Sequence, residues 1–576
     1  MPRLNFLEYR PDVSDLNSEY TRLLSNVLPR GDGYGPMRSL QSFTDALPGT
    51  FRGGIVARLP DSTVFIFAAT DTRLYQLDNT TLAWVDVSQN GDPYGTLSAD
   101  ANWRFAQFNN IIIATQKGAV PQKFDITTSA EFEDLGGSPP QAGDVVIVGP
   151  FVVLSDLVDD PGRVQWCGLN AIETWDGTNS SDFQDLADGG RARCVISAGG
   201  DVGLIFQDSA VRRMAWAAGD ERVFLIDKIE NADGILAPYS AITALGGVYC
   251  LSSRGFICIT AEGAITPIGE ERVNRTFLGQ HGASAPAAVG AAAYDEANPQ
   301  LVAAAGDPNR PIILWPYKSQ GGAEGAFDRV MAYHTTLQRW SPLQFSGEGV
   351  LQVSQPGLTL EALDAIAPGA LPITGAANNG SGLIRITVAS TASLATGDYK
   401  TISGVGGVVA ANGSWTITVI NGTTFDLQAS TFAGVYTSGG VVAGSLDAMT
   451  FSLDDISTAT LPALAAFDTA HRLGFFTGDN LEAEMTTSEQ ALGMRRMNVD
   501  ALWPITDADT AYCALQKRDK LNGEATEGDE SLIDADGRCP MLDETRYARA
   551  KMRIPAGTDW SFATGVDPEV YPAGEF

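Results

Sequence analysis

Histidine is almost missing from this chain. There are three in 576 residues: His281, His334 and His471. None stands near another, or near a second candidate ligand in sequence, so no zinc site and no Ser-His-Asp triad is visible. Each is read as a packing or surface residue. Cysteine is scarce too, and Cys167, Cys194, Cys250, Cys258, Cys513 and Cys539 are scattered without a CxxC pair. They are read as buried free thiols, not as a disulfide framework or a metal centre. Positive charge is outnumbered, with 38 Lys+Arg against 69 Asp+Glu and a net charge of −31. Affinity for nucleic acid comes mainly from Lys and Arg neutralising phosphates, which excludes a broad phosphate-binding surface. It does not exclude a surface that DNA passes without being held.

Long hydrophobic runs are lacking as well. Stretches such as Val145 to Ser155 are far shorter than the ~20 residues that span a bilayer. The start, MPRLNFLEYRPDVSD, has no apolar signal core and places Glu8 and Asp12 early, so a soluble chain made in a cytoplasm is expected. No GxxxxGK[ST] phosphate loop and no GxGxxG between strand and helix occurs. Adjacent acids such as Asp159-Asp160 and Asp454-Asp455 read as solvated turns. Asp529, Asp534 and Asp536 could gather calcium, but their spacing is not that of an EF-hand, and an acidic turn is the simpler reading. Arg212-Arg213 and Arg495-Arg496 sit among apolar residues, which suits packing or salt bridges better than phosphate. No residue is assigned a catalytic, cofactor-binding or metal-ligating role.

What is present is β grammar. Apolar residues make up 44% of the chain, with 61 Gly and 29 Pro to punctuate them. Beyond about residue 50, short strand-like runs such as Val64-Phe-Ile-Phe-Ala-Ala and Asn110-Ile-Ile-Ile-Ala-Thr alternate with turn residues. Helical periodicity is nearly confined to the first 30 residues. An aromatic followed by an acid closes successive units. Trp84, Phe132 and Trp175 are 48 and 43 residues apart, and Trp340 lies 165 further on, about four more units.

A period of roughly 40–50 residues with four strands per unit predicts an all-β fold, a β-propeller of four-stranded blades. An irregular series of β-sandwiches with aromatic cores is the alternative. Neither the Gly-His…Trp-Asp of WD40 repeats nor the Ser-x-Asp-x-Gly-x-x-Trp turn of sialidase-like blades occurs. Average domain sizes suggest three or four domains, but the repeat turns most of the chain into one.

The expected divisions are an irregular N-terminal arm over 1–50, the first part of the propeller over 51–370, an inserted small β-barrel or sandwich over 371–444, and propeller completion with a C-terminal β region over 445–576. The insert stands out by its Gly, Thr, Ser and Val content and low charge, and Leu360-Glu-Ala-Leu-Asp-Ala-Ile before it echoes Leu446-Asp-Ala-Met-Thr-Phe-Ser-Leu after it. The arm, with Pro29, Gly31, Gly33, Gly35 and Pro36, looks too irregular for core. It either reaches a neighbouring subunit or tethers a strand within its own propeller.

Ser25-Asn-Val-Leu-Pro-Arg-Gly-Asp-Gly-Tyr-Gly-Pro, Arg163-Val-Gln-Trp-Cys-Gly-Leu-Asn, Asp182-Phe-Gln-Asp-Leu-Ala-Asp-Gly-Gly and Phe206-Gln-Asp-Ser-Ala-Val-Arg-Arg-Met carry a resemblance. They resemble the tail nozzle or hub, the DNA-stabilisation β-propeller proteins of short-tailed bacteriophages, over most of 20–360 and 446–570. The segment Val388-Ala-Ser-Thr-Ala-Ser-Leu through Asn412-Gly-Ser-Trp-Thr-Ile-Thr-Val is similar to small β-modules that decorate phage tail proteins.

The resemblance implies a structural virion protein of the tail, assembled in the host bacterial cytoplasm and not an enzyme. It implies a homohexameric ring below the portal-adaptor complex that retains the packaged genome and conducts DNA during ejection. Head-to-tail adaptor proteins, tail fibres or spikes, transiently passing DNA and a host surface would be its partners; no cofactor is implied. An acidic lumen would let DNA slide. The alternative reading is a receptor- or carbohydrate-binding tail protein that contacts the host through the insert, with Trp415 and Tyr436 as the contact aromatics. A propeller hydrolase would need paired carboxylates in its central funnel.

Overall fold

Short runs of β-branched and aromatic residues, each cut by an aspartate turn, set the architecture. The computed structural model describes residues 3–14, 16–61, 63–220, 222–280, 291–355, 370–444, 461–491 and 496–572. In the first blade, Gly54–Arg58, Val64–Ala69, Leu74–Leu77 and Trp84–Asp86 form an antiparallel meander. The turn after Leu77 is built by Asp78, whose Oδ1 accepts the Thr80 amide at 2.7 Å. Asp125, Asp176, Asp307 and Asp468 each cap a turn in the same way, accepting the amide two residues on at 2.8–3.0 Å. A short side-chain acceptor stabilises such turns more effectively than any apolar residue can.

Seven four-stranded sheets follow this plan, with first strands beginning at residues 54, 104, 142, 192, 242, 305 and 349. These first strands pack against their neighbours in a closed ring, the seventh returning to the first. The chain is an all-β protein whose body is a seven-bladed propeller. Blade spacing runs from 38 (104 to 142) to 63 (242 to 305) residues. Only three blades therefore separate Trp175 from Trp340, not four. The long connection between Ile265–Pro267 and Ala305–Gly306, which holds the helix Asn274–Phe277, takes up the difference.

The seventh blade combines Gly349–Gln355, Leu461–Phe467, Arg472–Phe475 and, as its outer strand, Gln41–Ala46. Phe43 and Phe475 seal that seam edge-to-face at 5.1 Å. Of the two roles left open for the N-terminal segment, the tethered strand is the one the fold uses.

The rest of that segment is not a loose arm, and it is not helical. Val27–Pro29 and Tyr34–Pro36 join a six-stranded sheet with Met497–Thr506, Cys539–Thr545 and Ala563–Pro572, which Leu4–Asn5 completes. Leu24–Ser25 joins a seven-stranded sheet with Ala483–Thr486, Tyr512–Arg518 and Tyr547–Ile554. Tyr9, Leu24 and Tyr34 are fully buried in one core with Met552, Phe256, Trp315 and Trp340, so this sandwich and blades 5 and 6 share an interior. Strands of two or three residues are too short to show a period, which is why the segment reads as irregular. The region after 445 thus divides: Leu461 to Phe475 closes the propeller, and 483–572 builds the sandwich.

The insert leaves the seventh blade between its first and second strands. Leu371–Asn378, Ile384–Val388, Thr424–Leu427, Gly413–Val419, Tyr399–Ser403 and Val441–Val442 close a six-stranded barrel with its own core of Ile384, Ile386, Ile417 and Phe425. Leu371 pairs with Val442, so the barrel's two ends lie side by side. The echoing flanks at 360–366 and 446–453 lie outside the described residues. No helix among the described residues is long and apolar enough to cross a membrane.

Candidate functional site

The propeller axis holds a cavity of about 360 Å³, lined by the first strands of five blades. Ile55, Val56, Phe105, Ile242 and Leu351 line it together with the polar residues Asn102, Arg104, Gln300, Glu348 and Gln352. Across all seven first strands stand three arginines, Arg58, Arg104 and Arg193, and one acid, Asp144.

A partition crosses the axis at one end of this cavity. The linker before blade 2 supplies Asn102, whose amide donates to Tyr239 Oη at 2.8 Å and whose Nδ2 donates to the Gln300 carbonyl at 3.0 Å. Arg104 donates to the Pro238 carbonyl at 2.9 Å and lies over the Tyr239 ring, 4.5 Å from its centroid. Arg104 is held from behind by Asp144 at 3.3 Å. Asp144 in turn accepts Ser155 Oγ and the Val195 amide, each at 2.8 Å. Burial pushes the Asp144 carboxyl above the ordinary range, and the Arg104 charge pulls it back.

Beyond the partition is a second, small cavity of about 60 Å³. It is edged by Lys117 and Arg191, both paired with Asp156 at 2.5 and 2.8 Å. Linkers of blades far apart in sequence are thus tied across the axis, and the propeller is a plugged ring. Any acidic lumen has to lie outside its axis.

One carboxylate faces the larger cavity, Glu348. Its Oε2 accepts the Phe51 amide at 2.8 Å and its Oε1 meets His471 Nδ1 at 2.7 Å. Burial raises its pKa, while the Phe51 amide and the His471 ring act the other way. The pair joins the first blade's entry to the hairpin of the seventh, so it reinforces the same seam as Phe43. Sequence reading missed it because 123 residues separate the partners. The second carboxylate that a glycosidase funnel requires is not among the residues lining this cavity.

The aromatics singled out on the insert are built into its wall. Trp415 donates Nε1 to the Ala411 carbonyl at 2.8 Å, and Tyr436 donates its hydroxyl toward the Ile373 and Gly439 carbonyls at 2.9 and 3.0 Å. Both rings are half-buried against the barrel core. The exposed ring of the barrel is Tyr399.

The remaining candidates have structural partners. Arg212 pairs with Asp188, Arg213 donates to the Ala261 carbonyl at 2.8 Å, and Arg496 pairs with Asp519; Arg495 lies outside the described residues. Asp534 is occupied by its own turn, accepting the Asp536 and Arg538 amides, which holds its pKa low. No group of three potential metal ligands occurs among the described residues. His334 accepts the Leu337 amide on Nδ1 at 3.1 Å, and burial lowers its pKa. His281 lies outside the described residues, and all six cysteines are buried and unpaired.

No protein-family profile matches the chain. No curated protein matches it either. Among solved structures it is similar to the WD40 repeats of RRP9, at 9% identity and a TM-score of 0.34 over 68% of this chain and 98% of that one. It is also similar to BamB from Moraxella catarrhalis, at 10% identity and 0.28 over 71% and 98%. The computationally designed Ika8 protein matches at 10% identity and 0.30 over 60% and 96%. Nothing about function follows from likenesses at this level.

Proposed function

We propose that the chain is a structural protein of a short-tailed phage virion, forming the nozzle or hub ring below the portal-adaptor complex that retains the genome and conducts DNA on ejection. The sequence resemblance motivates this reading, and the plugged axis is the observation that carries it. A propeller whose funnel is crossed by Asn102, Arg104 and Tyr239 is suited to serve as a rigid block, not as a conduit or a substrate funnel. The blocks' outer faces would then bound the DNA path, and the acid excess would keep phosphates from adhering.

Leu4–Asn5 pairs with Ala563–Pro572 in the sandwich and Gln41–Ala46 completes the seventh blade, ties that would resist peeling under load. The test is to image particles. Copies of this chain ringed below the portal, with DNA between them, agree with the proposal; copies confined to fibre tips contradict it.

The second reading, host contact through the insert, rests on the exposure of Tyr399, Val409 and Val435. It no longer rests on Trp415 and Tyr436. A Tyr399→Ala particle that adsorbs to cells like the wild type would remove it.

A further inference from the structure

The sandwich has two unlike edges. At one edge of its six-stranded sheet lies Val27–Pro29; at the other lies Cys539–Thr545. About four inter-strand spacings, roughly 19 Å, separate them.

The first edge borders a groove of about 640 Å³, walled by blades 6 and 7, the hairpin 28–38 and Trp560. That volume lies within the range of built ligand sites. Its floor is apolar, with Leu28, Met37, Leu464, Phe475 and Phe476. Three arginines rim it in a chain of net charge −31. Arg38 donates only to the Thr477 carbonyl, at 3.3 Å. Arg30 donates to the Ser561 carbonyl at 2.6 Å and has Asp32 at 3.9 Å. The Arg310 guanidinium is exposed and has no partner among the described residues. The groove's one acid, Asp307, already caps its own turn.

The second edge is the complement of this groove. Beside it, on the seven-stranded sheet, residues 519–536 carry seven acids against Lys520 alone, and four of them already pair with Arg496, Lys551, Arg553 and Arg538. Glu524 and Asp529 are exposed and have no partner among the described residues. Apolar side chains protrude beside them: Leu542 is 89% exposed on the edge strand, and Leu521 and Leu532 are each 49% exposed. A monomer gains nothing from leucines held in water beside the unpaired Glu524 and Asp529. A neighbour with an apolar, arginine-rimmed groove would cover both.

We infer that the acidic, leucine-bearing edge of one copy docks into the blade 6–7 groove of the next. Unlike patches at opposite edges make a heterologous contact, which propagates head to tail and closes into a ring when the rotation allows. The inference rests on the ring assembly proposed above and assigns its two contact faces. Charge complementarity selects a second copy as occupant: this chain's own surface supplies the acids that the arginines lack.

The test uses the full chain in three forms, with sedimentation as the readout and heat unfolding as the control for folding. Arg38→Glu/Arg310→Glu removes the receiving face, and Glu524→Arg/Asp529→Arg removes the inserting face. Each should weaken self-association by about tenfold or more while unfolding at the wild-type temperature. Mixed together, they should assemble in alternation beyond the dimer, because the native contact and the charge-reversed contact are both productive. The chain with all four substitutions should assemble again.

Variants that associate like the wild type overturn the inference, as does a mixture that stays monomeric or a wild-type chain that never associates. Failure of the virion reading would look different: the variants would behave as stated, and the chain would be absent from the tail.

Discussion

Glu348 shows how one buried carboxylate can serve a seam. Removing it in Glu348→Ala leaves the Phe51 amide without its acceptor and should cost about 1–3 kcal/mol in denaturant unfolding. Glu348→Gln keeps an oxygen for that amide and should cost much less. Burial raises the Glu348 pKa, so the native state holds that proton more tightly than the unfolded chain does. Stability is therefore lost as pH rises from the ordinary carboxylate range through the folded pKa. Glu348→Gln lacks this loss and should gain on the wild type over that span; a constant difference would contradict the assignment.

Arg104 is the second test at this scale. Arg104→Ala strands the buried Asp144 and should cost about 3–5 kcal/mol. The deficit should shrink as pH falls and Asp144 takes up a proton. Trp415→Ala should lower the barrel's own stability, since its ring packs on that core.

At the scale of elements, the outer strand Gln41–Ala46 closes the propeller, and Phe43→Ala should destabilise it by about 3–5 kcal/mol. The larger sign would be loss of protease resistance throughout the propeller, because opening one seam frees the ring. The barrel should be separable. Replacing 371–442 with a short Gly-Ser turn joins ends already paired at Leu371 and Val442, and the propeller's unfolding should not move. A shifted transition would mean that the insert supports the blade.

Elements also show what was legible. Blade strands such as Val64–Ala69 announced themselves as short apolar runs bounded by turn residues, and the barrel by its composition. The sandwich did not, because its sheets join short strands near residue 28 to partners near residue 565. Such pairing leaves no local period. The axial partition and the Glu348–His471 pair were hidden for the same reason.

The charge of −31 changes meaning at the scale of the whole molecule. Part of it is structural, spent on aspartates that cap turns between strands. The first strands around the propeller axis carry one acid, Asp144, which pairs with Arg104, and Glu348 at the axial cavity is held by the Phe51 amide and His471. If the chain conducts DNA, it does so along outer faces brought together by assembly.

The most direct measurement is electron cryo-microscopy of intact particles, resolved well enough to trace the propeller. The account predicts a sixfold ring below the portal, DNA density in the lumen between copies, and closed propeller axes containing none. Density threading the axis past Asn102 and Tyr239, or this chain found only as trimers at fibre tips, would contradict it.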